Sequence, residues 1–188
     1  MRLLIITLLY ICCLTKQAQA KDYEIAEEVY LSEKFFHPGL GNIRLSAAKT
    51  KYPNHNTEYI AFFLMEFDDI IKALPQIWWS AENFVKITNF KLIDLNKDQQ
   101  HDLVISAAFR TGRNLDEFQD QIVIYYGNGT QFIRNFKIEQ KFLINMAKIM
   151  NHVSPPYKPG EKLAYTPVRM DYILLAHKHA LRELNKDK

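Results

Sequence analysis

Short apolar runs separated by turn residues constrain the fold of this chain more than any other feature of its sequence. Residues 29–35, 43–47, 60–65, 84–92, 103–109 and 121–126 are such runs, rich in β-branched and aromatic side chains. Runs of this length that end at Gly, Pro, Asn or Asp are typical of β-strands. The run 60–65 is apolar throughout, which predicts a strand covered on both faces. Asn128-Gly129 then joins 121–126 to Phe132-Ile133, and this dipeptide is a strong hairpin signal.

The last third of the chain changes to helical spacing. Residues 139–151 repeat their apolar side chains at three and four positions, and Thr166 can cap a second helix with Pro167 at its first position. The apolar stripe of this second helix consists of Met170, Ile173, Leu174, His177, Leu181 and Leu184. We expect it to dock on the sheet, with His177 as a hydrogen-bonded core histidine. The fold class is therefore α+β, an antiparallel β-rich core with C-terminal amphipathic helices.

One further segment, residues 68–74, carries Ile70, Ile71 and Leu74 at helical spacing before Pro75. This spacing predicts a short helix or turn, because proline ends a helix at the residue before it. On this interpretation Asp68 and Asp69 stand at the helix start and stabilise its dipole.

The first 20 residues have the pattern of a secretory signal peptide. Arg2 precedes an apolar run over residues 3–13, and Ala18-Gln19-Ala20 offers the small residues that signal peptidase accepts. The run is shorter than the roughly 20 residues that a membrane-spanning helix needs. We expect cleavage before Lys21, a periplasmic or secreted location, one β-rich domain over residues 21–188, and no transmembrane segment in the mature chain.

Removing the leader changes the chemistry that the chain can support. Both cysteines, Cys12 and Cys13, lie in the leader, so the mature chain has no disulfide scaffold, zinc-thiolate site or cysteine nucleophile. The leader also takes two of the 24 basic residues and none of the 21 acidic ones. The remaining charge is close to neutral, which argues against nucleic acid as a partner.

Residues 94–102 are the one segment with a metal-binding pattern. Asp94, Asn96, Asp98 and Asp102 stand at loop positions 1, 3, 5 and 9, and Gln100 offers a carbonyl at position 7. Calcium takes about six to eight oxygen ligands, which a tight acidic loop can supply. The loop is not an EF-hand, because position 12 is Ile105. The alternative is a loop whose Asp94 and Asn96 hydrogen-bond their own backbone as Asx-turns.

With its flanks, this segment resembles the calcium-loop strands of the FG-GAP and VCBS-type families. The matching stretches are 90–94, 102–107 and 122–127, followed by Gly129-Thr130-Gln131-Phe132. The resemblance implies a strand, the acidic loop, a buried strand and a closing hairpin. Only one copy is present, so a propeller of about four or more blades is excluded. At position 6 the families have glycine and this chain has Gln99, whose side chain opposes positive φ by about 1 kcal/mol or more.

Small exported proteins built on one such unit include some that resemble invertebrate-type lysozyme inhibitors and related immunity proteins. The polar insertion 110–117 is the preferred site of partner contact, through Arg110, Arg113 and Asp116, because binding residues accumulate in loops on a rigid scaffold. We therefore expect an exported, non-catalytic domain that binds another envelope or secreted protein, with a structural calcium loop.

The alternative function is a small periplasmic hydrolase. Glu66, Asp68 and Asp69 follow a buried run and could act as an acid–base pair if burial raised the pKa of one of them. No short catalytic motif accompanies these residues.

Overall fold

The computed structural model describes residues 24–51, 56–67, 69–75, 77, 79–111, 117–153 and 167–186. These residues form ten strands and two helices, which confirms an α+β chain of antiparallel strands followed by C-terminal helices. The strands are β1 (Glu24–Leu31), β2 (Phe35–His37), β3 (Gly41–Lys51), β4 (Glu58–Glu66), β5 (Asp69–Ala73), β6 (Trp79–Ser80), β7 (Phe84–Ile93), β8 (Asp102–Thr111), β9 (Glu117–Asn128) and β10 (Gln131–Ile133). The helices are α1 (Phe136–Val153) and α2 (Met170–Lys186).

The described chain divides into two compact units between Glu82 and Asn83. The single domain over 21–188 stays a prediction. The leader over residues 1–20 lies outside the described residues. Neither helix of the described chain is long and apolar enough to cross a membrane.

The first unit is an antiparallel sheet in the order β1-β3-β4-β5, with β2 on β3 and β6 on β4. Residues 60–64 of β4 are all buried, so the continuous apolar run is covered on both faces as predicted. Trp79 packs edge-on against Phe62 with ring centroids 5.6 Å apart. The centre of this unit is therefore held by apolar burial, at about 1.5–3 kcal/mol for each large side chain.

The predicted helix or turn at 68–74 is wrong, because residues 69–73 form strand β5. Met65 pairs with Ile70 and Glu66 with Asp69, in a hairpin with β4. Ile70 and Ala73 pack against a small buried cluster of Ala48, Ala61 and Phe63. Pairing with β4 satisfies the backbone groups of both strands, and this gain overrides a helical spacing of only a few residues.

The second unit is a four-stranded antiparallel meander in the order β10-β9-β8-β7. Residues 102–109 of the central strand β8 are all buried. Both helices pack on one face of this sheet, and for α2 this docking was predicted. The core of this face comprises Val104, Ile124, Tyr126, Phe142, Met146, Ile173, Ala176 and Ala180.

Helix α2 begins at Met170, three residues later than the predicted start at Pro167. The backbone groups of Val168 explain the difference. Its N–H donates to the Asp120 carboxylate and its carbonyl accepts from the Asn89 amide at 2.8 Å. The first helical carbonyl is therefore that of Arg169, which accepts from Tyr172 N at 3.1 Å. Thr166, the predicted cap, lies outside the described residues.

The buried side of α2 is also rotated from the predicted stripe. Ile173, Ala176, His177 and Ala180 are buried, while Met170 and Leu184 are only partly so. The two alanines lie on the side of α2 that belongs to the core with α1. Small side chains allow close approach of two helices, so this contact decides which side is buried.

Candidate functional site

The acidic loop between β7 and β8 is closed by hydrogen bonds from its own backbone. The Asp94 carboxylate accepts from Asp98 N at 3.2 Å and from Gln99 N at 3.0 Å. Asn96 Oδ1 accepts from Asp98 N at 3.1 Å, and Asp98 Oδ1 accepts from Gln100 N at 2.8 Å. The contacts of Asn96 and Asp98 reach two residues on and are Asx-turns, as the alternative interpretation expects for Asn96. Asp94 reaches four and five residues on, so it closes a wider turn.

Asp102, the first residue of β8, anchors this loop to the sheet. Its side chain is fully buried, and its two carboxylate oxygens accept from Gly127 N at 2.8 Å and from Leu95 N at 2.9 Å. Burial raises the pKa of Asp102; the two N–H groups lower it in part, and Asp98 and Asp94 raise it further. The carboxylate thus joins the start of β8 to the loop and to β9.

Gly127 is a site residue whose structural role sequence reasoning missed. A Cβ at this position would overlap the backbone carbonyl of His101, so only glycine allows β9 to approach the loop this closely. The Gln100 side-chain oxygen adds a second tie by accepting from Gly129 N at 3.1 Å. A glycine inside a strand pattern is the signal that could have identified the close approach.

Two residues of the loop have left-handed backbone conformations. Lys97 has φ of 64° and Gln99 has φ of 69°. Gln99 therefore adopts the positive φ expected at the position where the families have glycine. For a residue with a Cβ this conformation costs roughly 1–2 kcal/mol, which the Asx-turn hydrogen bonds help to offset.

The five predicted calcium ligands do not all converge. Asp94, Asn96 and Asp98 are brought together in the hydrogen-bonded loop, whereas Asp102 points to the amides of Leu95 and Gly127. The Gln100 side chain accepts from Gly129 N of the next hairpin, and this contact does not involve the backbone carbonyl predicted as the ligand. Within the described ranges, no group of three or more His, Cys, Asp or Glu side chains is arranged to hold a metal ion. Calcium binding stays a prediction.

The predicted partner loop is described only at its start. Arg110 is exposed near the end of β8, where it pairs with Phe118 of β9 and its N–H donates to Asn83 O at 2.8 Å. Arg113 and Asp116 lie outside the described residues. Contact through this loop therefore stays a prediction.

The carboxylates of the alternative hydrolase lie at the end of the β4–β5 hairpin. Glu66 and Asp69 pair across it and both are exposed. Asp68 lies outside the described residues. Asp69 begins a strand, so the expected helix-capping role is wrong. Acid–base carboxylates need burial to raise a pKa, and these two exposed groups do not favour that function.

Two exposed aromatic residues and a lysine lie at one end of the first sheet. The sequence patterns did not indicate this group. Phe67, in the turn between β4 and β5, is 74 % exposed with φ of 55°. Lys34 Nζ stands 5.5 Å from the centre of its ring. Phe36 of β2 is 65 % exposed and pairs with Asn42, near the same end of β3 that pairs with the end of β4. We call Lys34, Phe36 and Phe67 the aromatic tip.

Comparison with known proteins returns no family model, curated protein or solved structure that matches this chain. The order of elements in the second unit is nevertheless the one that the resemblance implies. Strand β7, the acidic loop, the buried strand β8 and the β9–β10 hairpin follow one another. Membership of a calcium-loop family stays a prediction.

Proposed function

We propose that this protein is an exported, non-catalytic domain that binds another protein of the cell envelope or of the secreted fraction. The observation that supports this most directly is the aromatic tip, and above all Phe67. A phenylalanine at positive φ costs roughly 1–2 kcal/mol of backbone energy. Its exposure also forgoes the burial free energy of an apolar side chain, about 1.5–3 kcal/mol.

A residue that is unfavourable in both respects supports a role outside folding. Strained backbone positions gather at binding and catalytic sites. Aromatic side chains near the centre of protein interfaces contribute a large part of the binding free energy. The Phe67 ring would enter an apolar pocket of the partner, with Phe36 beside it and the Lys34 ammonium at the rim.

We further propose an inhibitor or immunity-type role, which rests on the leader and on the resemblance of residues 90–132. In such a role a projecting side chain blocks the cleft of its target. The loop containing Arg110, Arg113 and Asp116 is retained as a second contact region. The acidic loop would serve as a structural calcium site that orders the β7–β8 connection.

Affinity capture with Phe67→Asn tests the aromatic tip. Asparagine tolerates positive φ, so this variant removes the ring without adding backbone strain, and its stability should equal or exceed that of the wild type. We expect the captured envelope partner to be lost in Phe67→Asn and weakened in Phe36→Ser. Ile133→Ser, which removes a half-exposed apolar side chain outside both contact regions, is the control. Equal capture by the wild type and Phe67→Asn would contradict the proposal.

Calcium has a separate test. A ligand that binds only the folded state raises stability by RT ln(1 + [L]/Kd). We expect the melting temperature to rise with calcium and to fall with chelator, and the rise to disappear in Asp94→Asn with Asp98→Asn. An unchanged melting temperature at millimolar calcium would remove the ion from the proposal and leave the aromatic tip untouched.

A further inference from the structure

Helix α1 has apolar side chains on two sides. Phe142 and Met146 face the core and are buried. On the other side Phe136, Leu143 and Ile144 are 69 %, 56 % and 50 % exposed. Leu143 and Ile144 follow Phe136 by seven and eight residues, about two helical turns, so these three residues lie on one side of the helix. We call this side the outer face of α1.

A row of lysines runs beside this face. Lys137 and Lys141 lie seven and three residues before Ile144, and Lys148 lies four residues after it. These spacings place all three on the same flank as Ile144. The side chain of Lys148 is 63 % exposed.

The helices are basic, in contrast to the first unit. Over 136–153 and 170–186 they carry six Lys or Arg and three Asp or Glu, whereas residues 24–82 carry five and nine. All three helical acids lie next to basic side chains. Glu139 binds Arg134 at 2.7 Å, Asp171 binds Arg169 at 2.6 Å, and Glu183 lies within 4.0 Å of both Lys141 and Lys148. The charge left over on the helices is therefore positive.

We propose that the outer face of α1 docks on the surface of an anionic lipid bilayer. Apolar side chains beside lysines are the pattern of helices that lie in the membrane interface, where Phe, Leu and Ile enter the head-group boundary. Each lysine near an anionic surface contributes about 1 kcal/mol. The positive flank and the exposed apolar side are therefore complementary to lipid in charge and in polarity.

The composition of the face favours lipid over a protein partner. Protein interfaces are depleted in Lys and enriched in Tyr, Trp, Phe, Met and Arg. The outer face has lysines with Phe, Leu and Ile, and neither Tyr nor Trp occurs in α1. This inference is independent of the aromatic tip, which belongs to the other unit.

Vesicle co-sedimentation of the full chain, purified after export, tests the inference. The probes are vesicles of phosphatidylglycerol with phosphatidylcholine, and vesicles of phosphatidylcholine alone. We expect sedimentation with the anionic vesicles and not with the neutral ones. It should be lost near 1 M salt, where the Debye length falls to about 3 Å.

Two double variants separate the apolar and the charged contributions. Leu143→Gln with Ile144→Gln should weaken vesicle binding at least tenfold, and Lys137→Glu with Lys148→Glu should weaken it further at low salt. All four side chains are exposed, so the melting temperature should stay close to that of the wild type. Ile71→Gln with Lys86→Glu makes one change of each kind at exposed positions elsewhere and should bind like the wild type.

Three results would overturn the inference. They are equal sedimentation with neutral and anionic vesicles, no sedimentation of the wild type with either, and full binding by the Lys137→Glu, Lys148→Glu variant. Neutral vesicles also detect any contribution of the apolar run 3–13, whose binding would not need anionic lipid. Capture of a protein partner through Phe67 is measured separately, so each proposal can fail alone.

Discussion

The hydroxyl of Tyr126 lies 2.9 Å from Nε2 of His177, which joins strand β9 to helix α2 inside the core of the second unit. Both side chains are buried. Burial lowers the pKa of His177 to about 4 and raises the pKa of the Tyr126 hydroxyl. Both groups are therefore neutral at physiological pH, and their hydrogen bond satisfies two polar groups that burial has removed from water.

Stability should fall as the pH is lowered from 6.5 to about 4. The unfolded chain has the ordinary histidine pKa and binds a proton in this window, whereas folded His177 stays neutral. The contribution is fully present above pH 6.5 and amounts to at most about 3 kcal/mol. Urea unfolding across the window should show a shallower pH slope for His177→Gln than for the wild type. His152→Gln, at an exposed site of α1, is the control, and equal slopes for the wild type and His177→Gln would contradict the expectation.

Asp102→Asn should destabilise the protein by about 1–3 kcal/mol, although it changes little in shape. Leu95 N and Gly127 N donate to different oxygens of the carboxylate, so the NH2 group of an amide would face one of these two donors. Asp98→Asn is the matched control, since this side chain is exposed and keeps an oxygen for Gln100 N. Chemical denaturation measures both variants. A loss below about 0.5 kcal/mol in Asp102→Asn would argue against the anchoring role.

Gly127→Ala should destabilise the second unit by about 1–3 kcal/mol or more, because the new methyl group would overlap the His101 carbonyl. Gly129→Asn has open space at the Cβ position, and asparagine tolerates its φ of 64°. As an exposed substitution it should cost about 0.5 kcal/mol at most. Thermal unfolding compares the two variants. If Gly127→Ala melted with the wild type, β9 could not approach the loop as closely as described.

Asp120→Ala should loosen the start of α2. It removes the acceptor of Val168 N and of the Thr88 hydroxyl, the latter at 3.1 Å, and should cost about 1–3 kcal/mol. Amide hydrogen exchange should rise in the first turn of α2 more than in α1. Glu183→Ala removes partly exposed ion pairs with Lys141 and Lys148 near the other end of α2 and should change exchange in the first turn little. Unchanged protection at Val168 in Asp120→Ala would exclude this clamp.

The sequence predicts strands best where they are buried on both faces. The runs 60–65 and 103–109 became β4 and β8 because continuous apolar segments of this length are stable only when covered. The hairpin expected at Asn128-Gly129 is present, but its turn residues are Gly129-Thr130, because Asn128 pairs with Gln131 and only Gly129 of the dipeptide has positive φ. The segment 68–74 misleads, because a few helically spaced residues carry less free energy than pairing with β4.

In the candidate sites, too, contacts between near neighbours can be predicted from the sequence and contacts between distant residues cannot. The polar pattern of residues 94–102 and the Asx-turns of Asn96 and Asp98 are local, so neighbouring residue types are enough to predict them. Asp102 and Gly127 are 25 positions apart, and no local pattern shows that they meet. The sequence around Phe67 gives no local signal of its role. Its left-handed conformation is unusual for phenylalanine, and its exposure depends on the whole hairpin.

The sequence alone determined the strand-rich class and the two C-terminal helices, and it limited residues 94–102 to a calcium site or Asx-turns. Each of these depends on periodicity or on contacts between near neighbours. Tertiary structure decided which side of α2 is buried, where α2 begins, and which apolar residues of α1 stay exposed. The physical reason is that burial and hydrogen-bond satisfaction depend on segments distant in the chain. Periodicity restricts which residues can be buried, and packing against those segments determines which of them are.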